Sequence, residues 1–485
     1  MRDYRKIMKS ITILIVVLHS IVLLAKSNLI LYTYPQDAAP KYILQENSIS
    51  GFCHDIIVEL NKELKSENIE IGYKSNSLKS ISEIFDALSR GEIQTFVGAA
   101  YSDERDAKYL RLPVYGLREM FLIRADREDV IRGKDTLRIG VIGGTVTSEK
   151  VPRISTHVEV ISYKSITSAL NSLDNGQIDA VFYSNLILGY YLTQSKGKYK
   201  IFSATSEKYY HYIVFSKSVD ESVIKIFEKA VRRLMTKDVI NRIIKKYNLE
   251  GYVLPGNVVE ILTIDWMPYE WYDKSKKEWI GIDVDVVKRV FQDLGFQVIF
   301  HTFPWTRCIQ LMKDKSYDGI MSLRISDERK DFLTFPNEPL STGLDVLFKL
   351  KSSNIDLSLL EKIPKNLICG YTDGYAYGDW FWNAEFRKVP VSTDEVGFEL
   401  LKSGRIDLFV CNLLVGKYIA QGMKLEVDYS PIFGEKMVYY IGFSKNFHGA
   451  FLAESFSEQL KRFKNTPDYK GILRKYGVEY EKLWK

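Results

Sequence analysis

Ser326-Asp327-Glu328-Arg329 repeats Ser102-Asp103-Glu104-Arg105 residue for residue, 224 positions further along the 485-residue chain. Other landmarks recur at nearly the same offset. Gly281 with Asp285 answers Gly51 with Asp55, 230 apart. Arg405-Ile406-Asp407-Leu408 answers Gln177-Ile178-Asp179-Ala180, 228 apart, and Arg474-Lys475-Tyr476 answers Lys245-Lys246-Tyr247, 229 apart. Four landmarks in one order at one offset indicate an internal duplication, and the period far exceeds the roughly 20–50 residues of solenoid repeats. Each copy is therefore expected to be a whole folded unit. The expected divisions are a leader over 1–27, a first domain over 28–250, a linker over 251–257 and a second domain over 258–485.

Composition fits a globular protein, with 46% hydrophobic and 26% charged residues. The net charge of +6 loses its meaning once located. Residues 1–27 carry Arg2, Arg5, Lys6, Lys9 and Lys26 against Asp3, which leaves only +2 for the rest. No basic stripe for nucleic acid follows from that balance. The N-terminus reads as a secretory signal, with a basic start, an apolar stretch over 11–24 and small residues at Ala25 and Ser27 before a cut at Asn28. The apolar stretch is short against the ~20 residues of a membrane span; an uncleaved anchor is the other reading. The expected location is the periplasm. Four cysteines (Cys53, Cys308, Cys369 and Cys411) are too few for a disulfide scaffold and wrongly spaced for zinc. Cys369 and Cys411 are expected on one sheet, and spacing leaves open whether they bridge.

Along each copy, short apolar runs alternate with segments of helical period. Leu29-Ile30-Leu31-Tyr32-Thr33 reads as a strand, 55–64 as a helix, Ile69-Glu70-Ile71-Gly72-Tyr73 as a strand, and 81–88 as a helix. The run 223–247 reads as one long amphipathic helical stretch. The second copy repeats the plan from strand 259–263 onward. Alternation of this kind implies βαβ units and mostly parallel sheets. The predicted fold is α/β: two tandem domains, each of two lobes joined by two chain crossings, with a cleft at each hinge.

Gly281-Ile282-Asp283-Val284-Asp285-Val286 resembles the Gly-apolar-acid-apolar-acid-apolar signature of the family-3 extracellular solute-binding proteins, which are bilobed. In that family a helix follows, then a strand ending in a Ser/Thr-Asp/Glu-Glu-Arg loop, and both copies carry that loop. The first copy departs from the signature: Gly51-Phe52-Cys53-His54-Asp55-Ile56 lacks the central acid. The resemblance implies ligand-binding roles for Arg329 and Arg105, since a carboxylate leaving water needs a fixed cation and arginine offers a bidentate fork. The alternative is a turn that merely caps a helix and faces solvent. Trp266 and Tyr269 match the family's aromatic wall, and Ser322 and Arg324 its strand end. The position of its amino-group acid falls on Asn412 in the second copy and Ser184 in the first. With no acid there, the ligand is expected to be anionic or neutral, unless Asp373 supplies the charge. Gly143-Gly144-Thr145 takes the place of the lobe-two loop in the first copy, so Thr145 joins the expected contacts. Tyr371, Tyr375, Tyr377, Trp380, Phe381 and Trp382 form either a binding loop or an aromatic cover for a sheet edge. Trp305 is expected at the lobe surface.

Enzyme readings find no Gly-x-Ser-x-Gly elbow and no His-Glu-x-x-His pair. No cofactor or metal is expected. What the resemblance implies is capture of a small polar or anionic, amino-acid-like solute by hinge closure and delivery to an ABC-type membrane permease. The alternative is an accessory module that reports occupancy to a membrane sensor.

Overall fold

The computed structural model describes residues 28–46, 48–128, 136–149, 151, 157–358, 364–430 and 435–478. The expected leader over 1–27 lies outside the described residues. Among those described, no helix is long and apolar enough to cross a membrane. Apart from residues 205–208, which group with the second, the chain divides into two compact units that meet in sequence at Gly256 and Asn257.

In the first unit, strand Leu29–Thr33 pairs in parallel with Ile69–Tyr73. The main sheet runs Thr95–Ala100, Tyr199–Phe215, Tyr115–Arg124, Ala180–Ser184, Leu137–Ile142, Val158–Tyr163. Tyr115–Arg124 and Tyr199–Phe215 are the two crossings. They are shared by both lobes and antiparallel to the lobe strands they meet, while the lobe-two strands pair in parallel with one another. Leu254–Pro255, expected as linker, adds antiparallel to Tyr115 and Gly116. The second unit repeats the order: Gln297–Thr302, Val258–Thr263, Gly319–Leu323, Glu435–Ser444, Ser341–Leu350, Leu408–Asn412, Ile368–Thr372, Arg387–Val391. Its crossings are Ser341–Leu350 and Glu435–Ser444. Apolar alternation failed as a guide in one place. The stretch 223–247 is two helices, Glu221–Thr236 and Val239–Lys246, because Asp238 takes a left-handed φ of 55° and turns the chain.

The repeated landmarks are repeated contacts. Asp55 accepts hydrogen bonds from Lys246 (2.6 Å) and Tyr247 (3.0 Å), and Asp285 accepts them from Lys475 (2.7 Å) and Tyr476 (2.8 Å). Each pair ties the first long helix of a domain to its last one. Asp179 accepts from the Arg138 amide at 2.9 Å and Asp407 from the Ile368 amide at 2.8 Å, which pins the first strand of each second lobe. Gly51 and Gly281 sit at φ 122° and 136°, where a Cβ would come within 2.6 Å of the Lys41 carbonyl oxygen and 2.2 Å of that of Tyr269. Only glycine fits there. The same geometry identifies Lys41 and Tyr269 as equivalent positions.

All four cysteines are buried and free. Cys369 and Cys411 do lie on adjacent strands, but the register pairs Cys369 with Leu408 rather than Cys411. They do not bridge.

Candidate functional site

In the second domain, lobe one and lobe two enclose a cavity of about 50 Å³. Ser326 accepts the Arg329 amide (3.3 Å) and so caps the four-residue helix Asp327–Lys330. The acids of that turn face solvent, paired with Lys330 and Lys313. Arg329 turns the other way, only 7% exposed, into the cavity. The capping alternative and the cleft alternative therefore both hold, for different residues of one motif. Arg329 Nη1 donates to the Arg324 carbonyl (2.8 Å), and its guanidinium lies over the Trp305 ring, 5.4 Å from the centroid. Burial lowers its pKa to about 10, which leaves it a cation at neutral pH. In the first domain Arg105 makes the matching bond to the Ala100 carbonyl (2.8 Å) and lies 4.1 Å from the Phe85 ring centroid.

Hydrogen bonds between the lobes hold the second cleft shut. Arg329 Nη2 (3.1 Å) and Trp305 Nε1 (2.9 Å) both donate to the Gly374 carbonyl. Arg324 donates to the Ala376 carbonyl, and Trp266 Nε1 to Asp394 Oδ2 at 3.1 Å. The loop at 374–377 thus offers its carbonyls to the cations expected to meet a ligand. Trp305, expected at the surface, lines the cavity because its indole is part of this closure.

Of the expected second-domain contacts, Trp266, Ser322, Arg324, Arg329 and Asn412 line the cavity; Tyr269 and Asp373 do not. Tyr269 is fully buried behind Trp266, ring centroids 4.7 Å apart, with its hydroxyl donated to the Thr342 carbonyl. Asp373 is exposed at the end of strand Ile368–Thr372. Asn412 accepts from the Leu414 and Val415 amides, capping helix Leu413–Gly422. Ser322, left-handed at φ 58°, donates to Asp283 Oδ2 at 2.8 Å. Strain of this kind gathers in binding clefts.

The expectation of a cleft without an acid is corrected by two residues it overlooked. Asp345 and Asp394 both line the cavity and both are buried. Asp394 accepts from Trp266 and Thr372, and burial raises its pKa to about 6. Asp345 accepts from Tyr439 Oη at 3.3 Å. Sequence signals existed for both: Asp345 interrupts the apolar run of a crossing strand, and Asp394 follows Thr393 at a helix start. The aromatic set divides. Tyr375 and Tyr377 line the cavity, Phe381 is core, and Trp382 is 46% exposed at the edge.

In the first domain a cavity of about 30 Å³ brings Arg105, Thr145 and Ser184 together. Thr145 Oγ1 donates to the Ile142 carbonyl at 2.7 Å. Lys41 and His211 line the same cavity and were missed.

The sequence matches the bacterial extracellular solute-binding proteins, family 3, over residues 29–250 and again over 260–479. The chain belongs to that family. Two relatives of this solute-binding protein each cover about one repeat of it. A probable histidine-binding protein of Campylobacter jejuni subsp. jejuni serotype O:2 is 25% identical over 221 residues, 44% of this chain and 83% of the relative. The arginine-binding periplasmic protein of Mannheimia haemolytica is 22% identical over 239 residues, 47% of this chain and 95% of the relative. Among solved structures, a histidine kinase sensor domain with similarity to periplasmic binding proteins is 20% identical. It covers 46% of this chain and 97% of its own, with a TM-score of 0.41. Among the described residues no cluster of His, Cys, Asp and Glu could hold a metal ion.

Proposed function

We propose that this family-3 protein is exported, captures an α-amino acid in its second-domain cleft and delivers it to an ABC-type membrane permease. The observation that carries the ligand class is the placement of Arg324 and Arg329 in one cavity with Asp345 and Asp394. A zwitterion needs a cation for its carboxylate and an anion for its ammonium, each desolvated only when paired. Trp266 and Tyr375 supply flat apolar walls between the two poles. Ligand entry requires the loop at 374–377 to yield its bonds to Arg324 and Arg329, so binding couples to movement of lobe two about the crossings Ser341–Leu350 and Glu435–Ser444. The histidine- and arginine-binding names of the two relatives point to the same class of ligand. The role is binding rather than catalysis.

The test is a thermal-shift and calorimetric screen of the protein against the twenty amino acids, dicarboxylates and sugars. At a hundredfold excess over the dissociation constant, a ligand selective for the folded form adds about 2.7 kcal/mol of stability. An amino-acid response that disappears in Arg329→Gln supports the reading. A response to sugars alone, or one unaffected by Arg329→Gln, refutes it.

A further inference from the structure

We infer that the first-domain cleft takes a different class of ligand from the second: a small dianion, carboxylate or phosphate, with no ammonium group. The inference rests on the solute-binding reading of the fold and concerns which charge each cleft is built to meet.

The two copies share their scaffold contacts and reverse the charge beneath the cleft. Where the second domain buries Asp283, bonded to Ser322 and Ser341 at 2.8 and 2.9 Å, the first buries Cys53, 3.3 Å from the Tyr115 hydroxyl. Where the second has Tyr269, the first has Lys41, 4% exposed and lining the cavity. Lys41 Nζ donates to the Gln36 side-chain oxygen (3.1 Å) and the Gly98 carbonyl (2.8 Å), neither of which is a carboxylate. Desolvation without an anionic partner lowers its pKa to about 8, so it remains mostly charged at neutral pH. A buried cation resting on neutral acceptors leaves a strong demand for an anion.

The rest of the lining agrees. Arg105 adds a second cation, and Thr145, Thr147, Ser184 and Tyr209 add hydroxyls. Among the described residues no carboxylate lines this cavity. Glu119 stands opposite Ser184 as Asp345 stands opposite Asn412, but it is 1% exposed and outside the lining, whereas Asp345 lines its cavity. His211 bonds the Tyr115 hydroxyl (2.9 Å), and burial holds its pKa well below the ordinary range, so it contributes a neutral ring. Two cations without a lining acid suit a dianion. An α-amino acid would leave its ammonium facing Lys41 and Arg105.

The experiment is calorimetric titration of the whole protein with succinate and, separately, inorganic phosphate at pH 7, using the parent, Lys41→Met, Arg105→Gln and Arg329→Gln. The expected result is binding of at least one anion, weakened tenfold or more in Lys41→Met and Arg105→Gln and changed less than threefold in Arg329→Gln. Arg105→Gln, at a half-buried site, keeps the test readable if Lys41→Met does not fold. Heat from succinate alone assigns a dicarboxylate, and heat from phosphate alone an inorganic oxyanion. Binding of neither anion overturns the inference, as does binding that survives Arg105→Gln or is lost in Arg329→Gln. Amino-acid titrations of the same samples separate the two ideas. If the second domain still binds while no anion does, only this inference falls; if nothing binds in either domain, the solute-binding reading falls with it.

Discussion

Replacing Asp394 with Asn tests whether the second cleft contains an ammonium site. The substitution keeps the size of the side chain and one oxygen to accept from Trp266 or Thr372, and removes the charge together with one acceptor. Two effects oppose each other. Losing a buried anion that pairs with a ligand ammonium costs about 2–5 kcal/mol, a ~30-fold to several-thousand-fold rise in Kd. Weakening the Trp266–Asp394 bond that helps hold the lobes together eases ligand entry, by about 1 kcal/mol at most. The ammonium effect wins, and the variant binds amino acids at least ~5-fold more weakly. The same group gives the parent a pH profile. Burial raises the Asp394 pKa to about 6, so its carboxylate is present above that pH and lost as pH falls through it. At pH 5 about a tenth remains ionised, and affinity is expected to fall roughly tenfold relative to pH 7.5. Titration calorimetry at the two pH values, with thermal melts to confirm folding, reads both effects. An Asp394→Asn variant within threefold of the parent at pH 7.5, or a parent with flat affinity between pH 5 and 7.5, refutes the assignment.

Two further predictions concern the scaffold beneath the cleft. Gly281→Ala places a Cβ 2.2 Å from the Tyr269 carbonyl oxygen at φ 136°, which should cost ~3 kcal/mol or more and lower the second domain's melting temperature by roughly 6–12 °C; a fall under ~2 °C would contradict the geometry. Asp283, fully buried, has its pKa raised by burial from an ordinary 3.8 to about 7. Its folded form therefore holds a proton that the unfolded chain releases near pH 4, and stability falls as pH rises from about 4 to about 7, by up to ~4 kcal/mol. Asp283→Asn should remove its own share of that slope, leaving the shares of Asp394 and of Glu270, whose carboxyls burial also raises. Urea unfolding at pH 4.5 and 7.5 measures it, and an unchanged slope in the variant would refute the account.

The fold was legible because its determinants are local in the chain. Strand and helix periods need only their own residues, and the glycines at 51 and 281 announce a backbone that no other residue adopts. Even the long-range bonds from Asp55 and Asp285 left a trace, since duplication wrote the same pair of partners twice. Arg329 was legible for the same reason. Asp345 and Asp394 left only local signals that name no role, because the cavity exists only once lobe two closes on lobe one. Nothing near Asp394 in sequence shows that its oxygen meets an indole 128 positions away. Tyr269 and Trp266 illustrate the converse error: neighbours in one turn, one forms the wall and the other stands behind it. A resemblance assigns the turn, and only packing divides the work between its residues.

The missing acid of the first copy's signature has a physical counterpart that the sequence alone did not connect. Burying Asp283 is tolerable because two serine hydroxyls donate to it. In the first copy the residue matching Ser322 is Gly98, which has no hydroxyl to give; both take a positive φ at the same strand end. A carboxylate at position 53 would therefore lack that donor. Gly98 instead offers its carbonyl, and a carbonyl can hold only a donor, which Lys41 supplies. The missing hydroxyl at the strand end thus favours a thiol over an acid in the helix, and a Cβ at Gly98 would come within 2.8 Å of the Cys53 sulfur. The helix residue and the turn residue both adjoin Gly98, so they should not be exchanged singly. Lys41→Tyr alone would leave the Gly98 carbonyl without its donor, and Cys53→Asp alone would bury an acid without the serine that holds its equivalent. The charge reversal between the domains is a concerted repacking around one strand end.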